Sequence, residues 1–196
     1  MDSLKVAQSD MSSTYRNGAV GVLVSGLVWL TAALVSYGFS PRQAIWALLV
    51  GGALIHPIST LVIQLLGGTT STHKDNPLVR LAMEGTLFML MSIPLAYGLA
   101  SLHPSWFFQG MLLIIGGRYL TFQTLYGNKL YWLFGAVLGV SGYGLYITNT
   151  QPMVTLLTGG IIEVGFSVLL FYDFLTKKKA RAASLSSLDT FIPKLP

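Results

Sequence analysis

The sequence predicts an all-α, polytopic membrane protein with six transmembrane helices and both termini cytoplasmic. Three observations predict it. Charged residues make up 10% of the 196-residue chain and hydrophobic residues 53%, with a mean hydropathy of +0.64. A soluble domain carries about a quarter charged residues, so a chain this poor in charge is solvated by lipid. The apolar residues fall in six runs, each near the roughly 20 residues that a spanning helix needs. Lys and Arg gather at the ends of those runs, as orientation in a membrane requires.

Residues 1–18 are polar and read as a short interfacial or disordered lead, without the apolar core and cleavage site of a signal peptide. A transmembrane domain follows over 19–176, with helices predicted at 19–37, 43–66, 78–101, 105–126, 130–148 and 153–175. Gly38-Phe39-Ser40-Pro41, the stretch 67–77, His103-Pro104, Gly127-Asn128 and 149–152 separate them with turn chemistry. Trp46, Trp106, Tyr126, Tyr131, Trp132 and Tyr172 stand near run ends, where amphipathic rings favour the interface. Residues 177–196 read as a basic, flexible cytoplasmic tail. It opens with Lys177-Lys178-Lys179, a stop-transfer flank placed to touch anionic lipid.

With the N-terminus inside, Lys5, Arg16, Lys74, Arg80, Lys129, Lys177, Lys178, Lys179, Arg181 and Lys194 are all cytoplasmic. Arg42 alone falls outside, and Arg118 lies within the membrane. An internal repeat is also hinted at. Leu81-Ala82-Met83-Glu84-Gly85 resembles Gly160-Ile161-Ile162-Glu163-Val164; Tyr37-Gly38 and Tyr126-Gly127 close the first and fourth runs; Trp46 and Trp132 open the second and fifth. Two such three-helix units would form a 3+3 inverted repeat, a plan common among transporters.

Arg118 sets the chemistry. A guanidinium facing lipid costs at least about 2.5–3.5 kcal/mol near the bilayer centre, so the chain should supply partners. Counting 1.5 Å per residue from the cytoplasmic ends puts Glu84 about 9 Å deep, Arg118 about 12 Å, His56 about 15 Å and Glu163 about 18 Å. All four therefore fall in one slab toward the inner leaflet, and the expectation is that they converge in one interior substrate or proton site. Small and hydroxylic residues at i±3 and i±4 flank them: Gly52, Ala53, Ser59 and Thr60 around His56, Thr121 beside Arg118, and Gly159, Gly160 and Ser167 around Glu163. With His56 neutral the four carry net −1, a surplus that a proton, a bound cation or a charged His56 must offset. Gly135, Gly139 and Gly142 read as a close-packing stripe, and Gln64, Gln109 and Gln123 as packing or interface residues.

Zero cysteines exclude disulfides, thiolate metal sites and cysteine nucleophiles. No phosphate-binding loop, HExxH metal motif or dinucleotide fingerprint is present, and neither a metal nor a cofactor is expected. Gly139-Val140-Ser141-Gly142 fits the GxSG pattern of rhomboid intramembrane proteases, but His56 precedes the serine and lacks the glycine-rich context of those enzymes.

Gly21-Val-Leu-Val-Ser-Gly-Leu-Val-Trp29, Gly51-Gly-Ala-Leu-Ile-His-Pro57, the stretch 76–84 and above all Gly116-Gly-Arg-Tyr-Leu-Thr-Phe-Gln-Thr-Leu-Tyr-Gly127 carry a resemblance. Together they resemble a family of small bacterial six-helix integral membrane proteins catalogued only as a domain of unknown function. The resemblance spans roughly 10–175 and implies a multi-pass protein of the bacterial cytoplasmic membrane, without an activity or ligand. The residues point first to a proton-linked transporter of a small solute. Arg118 would hold an anion, Glu163 or Glu84 would exchange a proton, and His56 would relay it. A membrane scaffold with a structural ion-pair network is the alternative, and a serine hydrolase at Ser141 a remote one. Expected partners are membrane lipids, an unknown solute or ion and further copies of the chain, but not nucleic acid.

Overall fold

The computed structural model describes residues 2–68, 72–73 and 75–191, and among them there is no β-strand. The helices are α1 (Asp2–Tyr15), α2 (Ala19–Gly38), α3 (Pro41–Leu65), α4 (Leu78–Ala100), α5 (Pro104–Tyr126), α6 (Leu130–Ile147) and α7 (Pro152–Phe191). Their ends follow local chemistry. Arg16, Asn17 and Gly18 all adopt positive φ, which breaks α1 from α2 in a single 3-10 turn. Ser40 caps α3, its hydroxyl accepting from the Gln43 N–H at 3.3 Å, with Pro41 at the first helical position. Pro104 opens α5, and Gly127 (φ 63°) closes it with its N–H on the Gln123 carbonyl.

Each spanning helix starts and ends within two residues of its predicted bounds, save that α7 continues to Phe191. The run Lys177-Lys178-Lys179 thus lies on a helical extension, and residues 192–196 lie outside the described residues. The polar lead is helical as well. Ala7 and Met11 share a face of α1 and pack against Leu78 and Leu125, the start of α4 and the end of α5.

Five stretches are long and apolar enough to cross a membrane: Ser3–Gly38, Pro41–Leu65, Leu78–Ala100, Leu130–Ile147 and Pro152–Lys179. Helix α5 is not among them, which corrects the reading of 105–126 as apolar enough to span alone. Arg118, the two glutamines Gln109 and Gln123 and three glycines dilute it, and its neighbours supply the shielding: α5 packs against α1, α3, α4, α6 and α7.

The helices form two units. Helix α2 packs extensively on α3 and α7, and α5 packs extensively on α4 and α6. Between the units, α7 meets α5 and α6, and α3 meets α5, over smaller areas. Glycines set the close approaches. A Cβ on Gly116 would stand 2.8 Å from the Gly135 carbonyl of α6, and one on Gly142 would stand 2.9 Å from the Gln109 carbonyl of α5. Gly139 has open space where its Cβ would be, so the α6 stripe rests on Gly135 and Gly142. Gly160 admits Leu30, and Gly159 admits Trp29 and Leu112. An aromatic ladder ties the units together: Tyr119 stacks on Phe134 (centroids 4.2 Å apart) and Phe134 on Phe166 of α7 (4.5 Å).

The lead, the loop between α3 and α4, the Asn128 loop and the Asp173–Lys177 turn of α7 gather at one end of the bundle. There Asp10 accepts from the His73 N–H and the Asn76 side chain, and Arg16 donates to the Leu66 carbonyl at the end of α3. Asp173 Oδ2 accepts from Asn17 (3.1 Å), Asn128 (2.9 Å) and Lys177 (2.8 Å).

Candidate functional site

Glu163 is fully enclosed, at 0% exposure, where α7 faces both units. Gly26 lets α7 come close enough that a Cβ there would stand 3.2 Å from that of Glu163. The Tyr119 hydroxyl of α5 donates to Oε1 at 3.4 Å, and Ser25 and Trp29 of α2 face the same carboxyl. Oε2 nevertheless has no well-formed hydrogen bond. An ionisable group enclosed in this way is costly unless satisfied. One turn further along α7, Ser167 donates to the Ala19 carbonyl at 3.0 Å and pins the helix to α2.

Arg118, the residue before Tyr119 on α5, is half-buried and turned toward α4. Its Nη2 donates to Thr86 Oγ1 at 2.9 Å and its Nη1 to Met89 Sδ at 3.6 Å, both on α4. The guanidinium lies 5.2 Å from the centroid of the Phe122 ring. Nε is buried without a partner. Thr121 donates to the Arg118 carbonyl at 2.7 Å and so serves the backbone rather than the guanidinium. No ion pair among the described residues involves Arg118.

The structure does not bring the four groups into one chamber. Glu163 and Arg118 lie on adjacent faces of α5, whereas His56 and Glu84 are exposed. For Glu84 the reason is helical phase. Helix α4 meets α5 through Ala82, Gly85, Met89 and Ala96, and Glu84 stands on the far side of that face, with Phe88 and Leu95. His56 stands on the flank of α3 away from α2. Ser59 takes the α2-facing side, 8% exposed and bonded back to the Ile55 carbonyl at 2.6 Å, and Thr60 is half-buried beside it. Small flanking residues marked a packed surface on α3, but only part of that surface meets another helix. Ser141 is half-buried on α6, which packs on α5 and α7 and not extensively on α3, so His56 is not set against it.

Sequence reasoning missed Ser25, Trp29 and Tyr119 around Glu163, and Thr86, Met89 and Phe122 around Arg118. Tyr119 adjoins Arg118 in the chain, and Trp29 is an aromatic in mid-helix rather than at an interface. Those were the signals available. Gln109, read as a packing residue, is 1% exposed and donates to the Leu145 and Thr150 carbonyls at the end of α6. Among the described residues no three His, Asp or Glu side chains form a metal-binding group.

These features define an all-helical protein with helices suited to crossing a membrane, carrying an enclosed carboxyl and a separate half-buried guanidinium. The chain belongs to the family of unknown function DUF7010, whose model matches residues 4–173. No curated protein and no solved structure matches it.

Proposed function

We propose that the chain is a small proton-linked carrier of the bacterial inner membrane, with both termini cytoplasmic. The observation that carries this reading is Glu163: a fully enclosed carboxyl with one oxygen unpaired, at the seam of two helical units. A scaffold has no use for such a group, whereas a carrier can load and unload a proton there as the units move. Its charged and titratable neighbours are Tyr119 and Arg118 of α5, and α2 contributes only Ser25 and Trp29.

The packing supports two moving units. Pairing α2 with α5, α3 with α6 and α4 with α7 relates them: each first helix packs on its own second helix and on the third helix of the other half. That is the arrangement of a 3+3 repeat with exchanged third helices. The orientation rests on the basic residues of the lead, the loops and the Lys177 run, which the positive-inside rule assigns to the cytoplasm.

Protein reconstituted into liposomes loaded with a pH-sensitive dye should carry protons down an imposed gradient when small anions are supplied. Glu163→Gln should abolish this flux. Tyr119→Phe, which removes one hydrogen bond to the carboxyl, should slow it about tenfold. Equal flux in Glu163→Gln and wild type would overturn the reading.

A further inference from the structure

The face of α3 made by Ile45, Gly52, His56 and Ile63, at spacings of seven, four and seven, is a single stripe. Its two ends are buried, at 3% and 2% exposure, while Gly52 and His56 between them are exposed. On α4, Thr86, Leu90, Ile93 and Tyr97 form another stripe. It runs from Tyr97, whose ring lies 6.4 Å from that of Trp46 on α3, to Thr86, which holds Arg118. The Trp46 and Tyr97 rings join the two helices at one end, and α3 and α4 make no extensive contact along the rest of their described length. At about 1.5 Å per residue, Arg118, Thr86 and His56 stand at nearly one level. The guanidinium there is half-buried, makes no ion pair among the described residues, and keeps an unpaired buried Nε.

We propose that this opening takes an anionic phospholipid from the bilayer, its phosphate on the Arg118 guanidinium beside Thr86 and an acyl chain along α4 toward Trp46 and Tyr97. Charge complementarity commits the occupant. A cation at membrane depth with an unsatisfied donor calls for an anion, and a phosphate accepts from a guanidinium at two oxygens. The walls supply the rest. Leu90 is 51% exposed, and about 14 residues of α5, roughly 21 Å of helix, separate Arg118 from the start of that helix, a length that suits a long acyl chain. With the termini cytoplasmic, head and chain point as in an inner-leaflet lipid. The inference rests on the carrier reading for this orientation and adds the chemical class of what the carrier holds.

Native mass spectrometry of the purified chain, equilibrated with phosphatidylglycerol and phosphatidylcholine in mixed micelles, tests it. Wild type should retain phosphatidylglycerol in preference. Arg118→Gln should lower that retention at least tenfold. Gly52→Leu should lower it too: a Cβ at Gly52 meets nothing within 4 Å, so the fold accepts the side chain while the cleft fills. If Arg118→Gln does not fold, Gly52→Leu decides. Lys177→Gln with Lys178→Gln should leave retention unchanged. Wild-type retention in both Arg118→Gln and Gly52→Leu overturns the proposal. So does loss confined to the lysine variant, or inorganic phosphate alone displacing the lipid at equal concentration. Glu163→Gln should retain lipid while losing proton flux. Lipid retention lost with flux intact in wild type removes the lipid and leaves the carrier.

Discussion

Gly116 and Gly117 are adjacent in α5, yet alanine at the two positions should act in opposite directions. A Cβ on Gly116 would stand 2.8 Å from the Gly135 carbonyl oxygen and 3.0 Å from the Gly139 amide nitrogen. Both are backbone atoms of α6, so no side chain can swing aside and the helices must separate. A Cβ on Gly117 meets nothing within 4 Å. The gain from replacing glycine in a helix, about 1 kcal/mol, is common to both substitutions. Their difference therefore isolates the steric cost, which for overpacking is about 1–3 kcal/mol. Gly117→Ala should be neutral or stabilised by up to about 1 kcal/mol, and Gly116→Ala should be less stable than it by about 1–3 kcal/mol. Unfolding by a denaturing detergent titrated into mixed micelles, followed by tryptophan fluorescence, measures the gap. A Gly116→Ala protein as stable as Gly117→Ala would mean that α5 and α6 do not meet at this seam. The register of Arg118 and Tyr119 described above would then be wrong too.

Two further substitutions probe the end of the bundle where the loops gather. Asp173→Ala strands the side-chain donors of Asn17 and Asn128, which are 2% and 4% exposed, and should cost about 2–4 kcal/mol in thermal unfolding. Lys177→Gln at the same carboxylate should stay within about 0.5 kcal/mol, because that pair is surface-exposed. Asn76→Ala removes the donor to the Ala7 carbonyl and to Asp10, and should free α1. Faster tryptic cleavage at Arg16 than in wild type reports it.

The helices were legible because their boundaries are written locally. Apolar runs stop at Gly38, Gly67, His103 and Gly127, and a proline stands at or just before the start of α3, α4, α5 and α7, so chemistry within a few residues decides most ends. Helix α1 was less visible, since its polar surface hides the i, i+4, i+7 spacing of Ala7, Met11 and Thr14, which is what the bundle buries. The site was legible in depth but not in direction. Counting residues set Glu163, Arg118, His56 and Glu84 at similar levels, yet which neighbour each helix presents to a given face depends on packing that no single helix encodes. Glu163 met that test because Gly159, Gly160 and Ser167 around it all touch α2 or α5. Glu84 failed it because its own flank is exposed among the described residues.

Under the repeat proposed above, the two glutamates stand in unequal surroundings. Aligning Tyr37-Gly38 with Tyr126-Gly127 places Gly26 of α2 opposite Ile115 of α5, and Trp29 opposite Arg118. Gly26 lets α7 close down until Glu163 is sealed against Ser25 and Trp29, whereas Ile115 occupies the matching space on α5 and packs into the core. Helix α4 instead engages α5 through Thr86 and Met89 on the guanidinium, which leaves Glu84 outside. Helices α6 and α7 meet over a small area, whereas their counterparts α3 and α4 make no extensive contact. One half is thus closed around a carboxyl and the other open beside a guanidinium. A carrier built from exchanged repeats needs such an inequality between its halves, since the moving step consists of one seam opening as the other shuts.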